Sequence, residues 1–112
     1  MRDAITVDIV RTASGRGKAQ GALSGTHPVD LLSATLTALL ERTGLEPVLV
    51  NDVIGGCVSQ VGQQSMNVTR SAVLAAGMPE SVPATTIDQQ CGSRQQAADF
   101  DAQGVSRAPT TW

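Results

Sequence analysis

The sequence predicts an α/β fold, a mostly parallel sheet with covering helices. Three observations carry that prediction. Short alternating or β-branched apolar runs occur at residues 5–9, 53–54 and 85–87; helical periodicity fills stretches between and after them; Gly or Pro marks most of the joints. Strands alternating with helices imply right-handed crossovers, and so parallel strands covered on both faces.

The first element is a strand. Ile5, Val7 and Ile9 alternate with Thr6 and Asp8, while Ala4 and Val10 give the second face some apolar character. Residues 14–25 hold Gly15, Gly17, Gly21 and Gly25 and read as a loop. Pro28 suits the first turn of a helix, with Asp30 near its positive end. Val29, Leu32, Leu36, Leu39 and Leu40 then fall on one helical face, and Gly44 followed by Pro47 stops it. Val53 and Ile54, ending in Gly55 and Gly56, read as a short buried strand. Asn67 caps a helix over residues 68–76, which Gly77 and Pro79 terminate. Thr85, Thr86 and Ile87 form a third strand leading into Asp88-Gln89-Gln90-Cys91 and the helix-forming Gln95-Gln96-Ala97-Ala98. Residues 106–112 have no periodicity. Three such strands make a thin sheet, which should leave an edge and one face in need of partners.

The composition narrows the function classes. At 112 residues the chain allows one domain, with a radius of roughly 13 Å if compact. The net charge is −2, and the eight basic residues are scattered, with no stripe for a phosphate backbone. Aromatic residues are confined to Phe100 and Trp112, so a base-stacking surface is also disfavoured. No apolar stretch is long enough to cross a bilayer, and the first residues lack a charged leader with an apolar core. Two cysteines, Cys57 and Cys91, are too few for a disulfide scaffold and lack neighbours for a zinc site. These features set the expectation of a reduced, cytoplasmic protein that binds neither nucleic acid nor membrane, and no metal.

Cys91 is the strongest candidate for chemistry. It stands where a strand hands over to a helix, so unpaired N–H groups and the positive helix end favour its thiolate. The same groups would serve an oxyanion during acyl transfer. The alternative is a small buried apolar cysteine, the reading that suits Cys57 better. A redox pair of Cys57 and Cys91 is a weaker option. Gly15-Arg16-Gly17-Lys18-Ala19 has a Gly-Lys pair but lacks the following Ser or Thr and the upstream glycine of a phosphate loop. His27, the only imidazole, reads as a solvent-facing helix cap.

Five ordered blocks resemble the N-terminal half of thiolases, the acetyl-CoA C-acetyltransferases and 3-ketoacyl-CoA thiolases. They are Arg2-Asp3-Ala4-Ile5-Thr6-Val7-Asp8 with Arg11-Thr12; His27-Pro28-Val29-Asp30-Leu31-Leu32; Asp52-Val53-Ile54-Gly55-Gly56-Cys57-Val58; Asn67 through Gly77; and Thr85-Thr86-Ile87-Asp88-Gln89-Gln90-Cys91-Gly92-Ser93. The resemblance covers residues 1–105 and leaves 106–112 as a non-matching tail. It implies part of the N-terminal half of a layered αβαβα fold, incomplete in this chain. It further implies that Cys91 matches the family nucleophile, with a coenzyme A thioester as substrate and no tightly bound cofactor. Family members form dimers or tetramers, so a homo-oligomer, or association with the missing thiolase half, is expected.

The family's catalytic His, its Asn and its second Cys belong to later segments without counterparts here. Turnover by this chain alone is therefore not expected. A truncated, non-catalytic fragment or docking module is the competing account, and a frame shift near Val105 would produce one. Two residues depart from the nucleophile motif. Asp88 stands where many members have Asn, and is placed to cap the N–H of Cys91 or its neighbour. Arg94 stands where they have Gly or Ser and, on a helix, would share a face with Cys91.

Overall fold

Pro28 does begin a helix. In the computed structural model, which describes residues 2–108, α1 runs over Pro28–Thr43. His27 is its N-cap, and Gly44 ends it in the left-handed conformation, φ 66°, donating its N–H to Leu40. A side chain at that φ is strained, which is why Gly suits the position. The order continues with β1 (Val53–Gly56), α2 (Val68–Ala75), β2 (Ala84–Ile87) and α3 (Ser93–Arg107); single 3₁₀ turns lie at Pro47–Leu49 and Gly62–Gln64. β1 and β2 pair in parallel, from Val53 opposite Ala84 to Gly56 opposite Ile87. With α2 between them they form a βαβ unit.

The two glycines of β1 show how the layers stack. A Cβ on Gly55 would collide with the Thr69 side chain on α2; one on Gly56 would lie 2.5 Å from the Ser93 carbonyl carbon and 2.6 Å from the Arg94 nitrogen on α3. Successive strand positions point to opposite faces, so α2 and α3 lie on opposite faces of the sheet. α1 packs against α2, and its Leu36 and Leu40 join the cluster that also holds Val53 and Ala84 of the sheet. Gly55 and Gly56 lie inside the strand, because each face needs a missing side chain.

The core belongs to the α1–α2 side. Val73, Met78 and Val82 are buried, with Leu36, Leu40, Val50, Val53, Ala76 and Ala84 packed around them. On the α3 side only Ser93 and Ala97 are buried, one turn apart, and both are small enough for the helix to lie close. A hydroxyl network fastens α2 to β2. The Thr86 hydroxyl accepts from the Thr69 N–H at 3.1 Å and lies 2.7 Å from both Asn67 Oδ1 and Thr69 Oγ1. Asn67 Nδ2 donates to the Ala84 carbonyl at 2.9 Å, and the Arg70 guanidinium donates to the carbonyls of Val82 and Glu80.

The first expected strand is not formed. Residues 2–11 carry no ladder among the described residues, and Ile5, Val7 and Ile9 are 80%, 83% and 74% exposed. The segment is held at its ends, where the Arg2 N–H donates to Ser106 at 3.3 Å and Asp8 pairs with Arg42 at 3.1 Å. Alternation prepares a strand, but only a neighbouring edge makes one. The sheet therefore has two strands instead of three. The third helix continues through Ser106 and Arg107, while Pro109 and Trp112 of the expected tail lie outside the described residues. The radius of gyration, 14.7 Å, exceeds the compact expectation. Every fully buried residue described lies between Val68 and Ala97, and α1 adds partly buried side chains such as Leu36 and Leu40 to that interior.

Candidate active site

Because β1 and β2 are parallel, their carboxyl ends lie at one edge of the sheet. Open α/β sheets bind ligands at that edge. Both cysteines follow it. Cys57 extends β1 by one residue, is half-buried, and donates its N–H to Ile87 at 3.0 Å. Cys91 lies between β2 and α3, and is free and exposed.

The five residues that carry Cys91 across this junction form a closed turn. The Gly92 N–H donates to the Gln89 carbonyl at 2.9 Å. Gln90 adopts φ 49°, a conformation few non-glycine residues take. Asp88 Oδ1 accepts from the Gln90 N–H at 2.8 Å. The Ser93 hydroxyl donates to the Gln90 carbonyl at 2.7 Å and accepts from the Gln89 N–H at 2.8 Å. Ser93 is 4% exposed, and these two bonds meet its need for polar partners. Its own N–H also donates to the Gln90 carbonyl, at 3.1 Å.

Asp88 therefore does cap, and it caps the neighbour. It takes the Gln90 N–H and leaves that of Cys91, which has no acceptor among the described residues. The N–H groups of Arg94 and Gln95, in the first turn of α3, likewise have none. Helix starts leave such donors available to an anion. The expectation for Arg94 needs correction. Cys91 precedes the helix, whose N-cap is Gly92, so helical spacing does not put Arg94 on a common face with it. Arg94 is simply an exposed residue of the first turn.

The remaining candidates fall elsewhere. His27 Nδ1 accepts from the Val29 N–H at 3.1 Å, the exposed cap that its sequence position suggested. Residues 15–19 with Leu23 and Ser24 line a shallow depression, and successive turns there use the N–H groups of Lys18, Gly21 and Ser24 internally. Among the described residues no three His, Cys, Asp or Glu side chains gather as a metal site, and no helix is long and apolar enough to cross a membrane. Sequence reading missed Gln90, Ser93 and Gly56 as parts of the site. The Gly pair in a strand was the available signal for close backbone approach; nothing local announced the left-handed Gln90.

A parallel βαβ unit with a free cysteine at the carboxyl edge, ahead of a helix start, defines an α/β domain. The thiolase N-terminal domain family matches residues 4–107, and the chain belongs to the thiolase family. It is 51% identical over 105 residues to steroid 3-ketoacyl-CoA thiolase FadA6 of Mycobacterium tuberculosis, covering 94% of this chain and 25% of that protein. To the beta-ketoadipyl-CoA thiolase of Escherichia coli it is 43% identical over 106 residues, covering 94% and 26%. The crystal structure of Acat5 thiolase from Ascaris suum in complex with coenzyme A aligns with a TM-score of 0.72 at 25% identity, over 78% of this chain and 22% of that one. The chain thus spans about a quarter of the length of the relatives it matches.

Proposed function

We propose that this chain supplies the nucleophile-bearing part of a thiolase, which transfers acyl groups between coenzyme A thioesters through an acylated Cys91. The exposure of Cys91 beside free N–H donors supports this reading most directly. Cys91 Sγ attacks the thioester carbonyl carbon, and the carbonyl oxygen becomes an oxyanion that backbone N–H donors stabilise. The carbon–sulfur bond to coenzyme A then breaks, leaving an acyl-cysteine; the departing thiolate takes up the proton released by Cys91.

The second half-reaction needs a positioned acid and base. His27, the only histidine, already spends Nδ1 on a helix cap. The resemblance assigns the missing groups to later thiolase segments. The chain alone is therefore expected to accept an acyl group and pass it on slowly. The exposed alternation of Ile5, Val7 and Ile9 supports association with the rest of a thiolase fold or with another copy of the chain.

Mixing the purified chain with acetyl-CoA tests the reading by release of free coenzyme A. A single burst of about one equivalent, absent from Cys91→Ala and retained in Cys57→Ala, is expected from an acylated nucleophile. No burst, or one that survives Cys91→Ala, overturns it.

A further inference from the structure

Gln90 is pinned from both sides. Asp88 Oδ1 holds its N–H, while the hydroxyl and N–H of the buried Ser93 hold its carbonyl. These bonds maintain a left-handed residue directly before Cys91. A non-glycine residue reaches that region only when its surroundings determine it. Ser93 is in turn fixed by β1, because Gly56 lets its backbone lie against the strand.

We infer that Asp88 and Ser93 are positioning residues for Cys91. Their joint hold on Gln90 sets the direction in which the Cys91 thiol and N–H are offered to a thioester. This rests on the reading of Cys91 as an acyl acceptor. It adds that Asp88 works as a hydrogen-bond acceptor, with its charge playing no part. An asparagine Oδ1 supplies the same acceptor; an alanine supplies none. Gln90 also brings its Nε2 to 3.5 Å from Asp88 Oδ1, the longer of its two contacts with that oxygen; its role rests on the backbone, so glycine can replace it and a β-branched residue cannot.

Two reagents separate positioning from simple access. Phenyl thioacetate acetylates a thiol through a tetrahedral oxyanion: Sγ bonds to the carbonyl carbon, thiophenolate leaves, and solvent takes the thiol proton. Iodoacetamide alkylates by displacement of iodide and needs only a reachable sulfur. With the full chain, both rates at Cys91 are read by peptide mass spectrometry, alongside urea unfolding of each variant. Asp88→Ala is expected to slow acetylation by about three- to tenfold, the effect of one lost hydrogen bond, with alkylation changed less than about twofold. Asp88→Asn and Gln90→Gly retain both rates, and Gln90→Val loses acetylation as Asp88→Ala does.

Equal loss in Asp88→Asn and Asp88→Ala would mean that charge acts, and overturns the inference. So does an unchanged Asp88→Ala, or a parent chain that phenyl thioacetate fails to acetylate. Acetyl-CoA run in parallel keeps the two readings apart. Acetylation by phenyl thioacetate with the expected variant pattern, but none by acetyl-CoA, removes the coenzyme A reading and leaves the positioning role standing.

Discussion

At the scale of single residues, several side chains matter for what they leave out. Gly56 is the clearest. Adding a methyl there meets backbone atoms of Ser93 and Arg94 at 2.5–2.6 Å, which cannot rotate away. Gly56→Ala is expected to cost about 1–3 kcal/mol in urea unfolding and to disturb the Cys91 turn as well. Thr86→Val keeps the shape of the side chain but removes the acceptor used by the Thr69 N–H, which belongs to a residue 1% exposed. That unsatisfied group should cost about 1–3 kcal/mol, whereas Thr86→Ser should recover most of it. Cys91 was legible as a candidate because a Cys between a β-branched run and a helix former is visible in any reading. Its supporting residues were not, since the pinning of Gln90 joins atoms whose partnership depends on one unusual φ.

The elements show the same division between local and distant information. α1 was fully legible: Pro28, the leucine spacing and Gly44 are local signals, and the helix begins and ends where they place it. A methyl added at Gly44 would meet nothing within 4 Å, so the demand there is conformational alone. Gly44→Ala should therefore cost about 1 kcal/mol, while Gly25→Ala, equally open and without a left-handed φ, should be close to neutral. Thermal unfolding of the two variants checks this contrast. The Asn67 cap was also legible, though its φ of 66° and its reach to Ala84 were not. The sequence places a short strand at Val53 and Ile54, ending in Gly55 and Gly56; in the structure both glycines lie within β1, where the two facing helices require them. The strand expected at residues 5–9 failed for the opposite reason. Its pattern is local, but among the described residues it pairs with neither outer edge of the two-stranded sheet.

For the molecule as a whole, most of the interior stability comes from one face of a two-stranded sheet. Val73 is fully buried at the centre of the α1–α2 cluster, and Val73→Ala should cost about 2 kcal/mol, a large share of what so small a core supplies. Val7, 83% exposed, lies at the other extreme. Val7→Lys should leave urea unfolding of the chain within about 0.5 kcal/mol of the parent. Any association that uses the exposed 5–9 face should weaken, as size-exclusion chromatography at several concentrations can show. The carboxyl-edge position of both cysteines is a consequence of parallel pairing, and alternating strands and helices in the sequence already implied that pairing.

The central claim concerns one sulfur of two. After brief exposure of the native chain to acetyl-CoA, peptide mapping reports which cysteine carries the acetyl group. The account predicts a hydroxylamine-sensitive acetyl on the Cys91 peptide, with Cys57 unmodified until urea is added. Acetyl on Cys57 in the native chain, or none on Cys91, would contradict it.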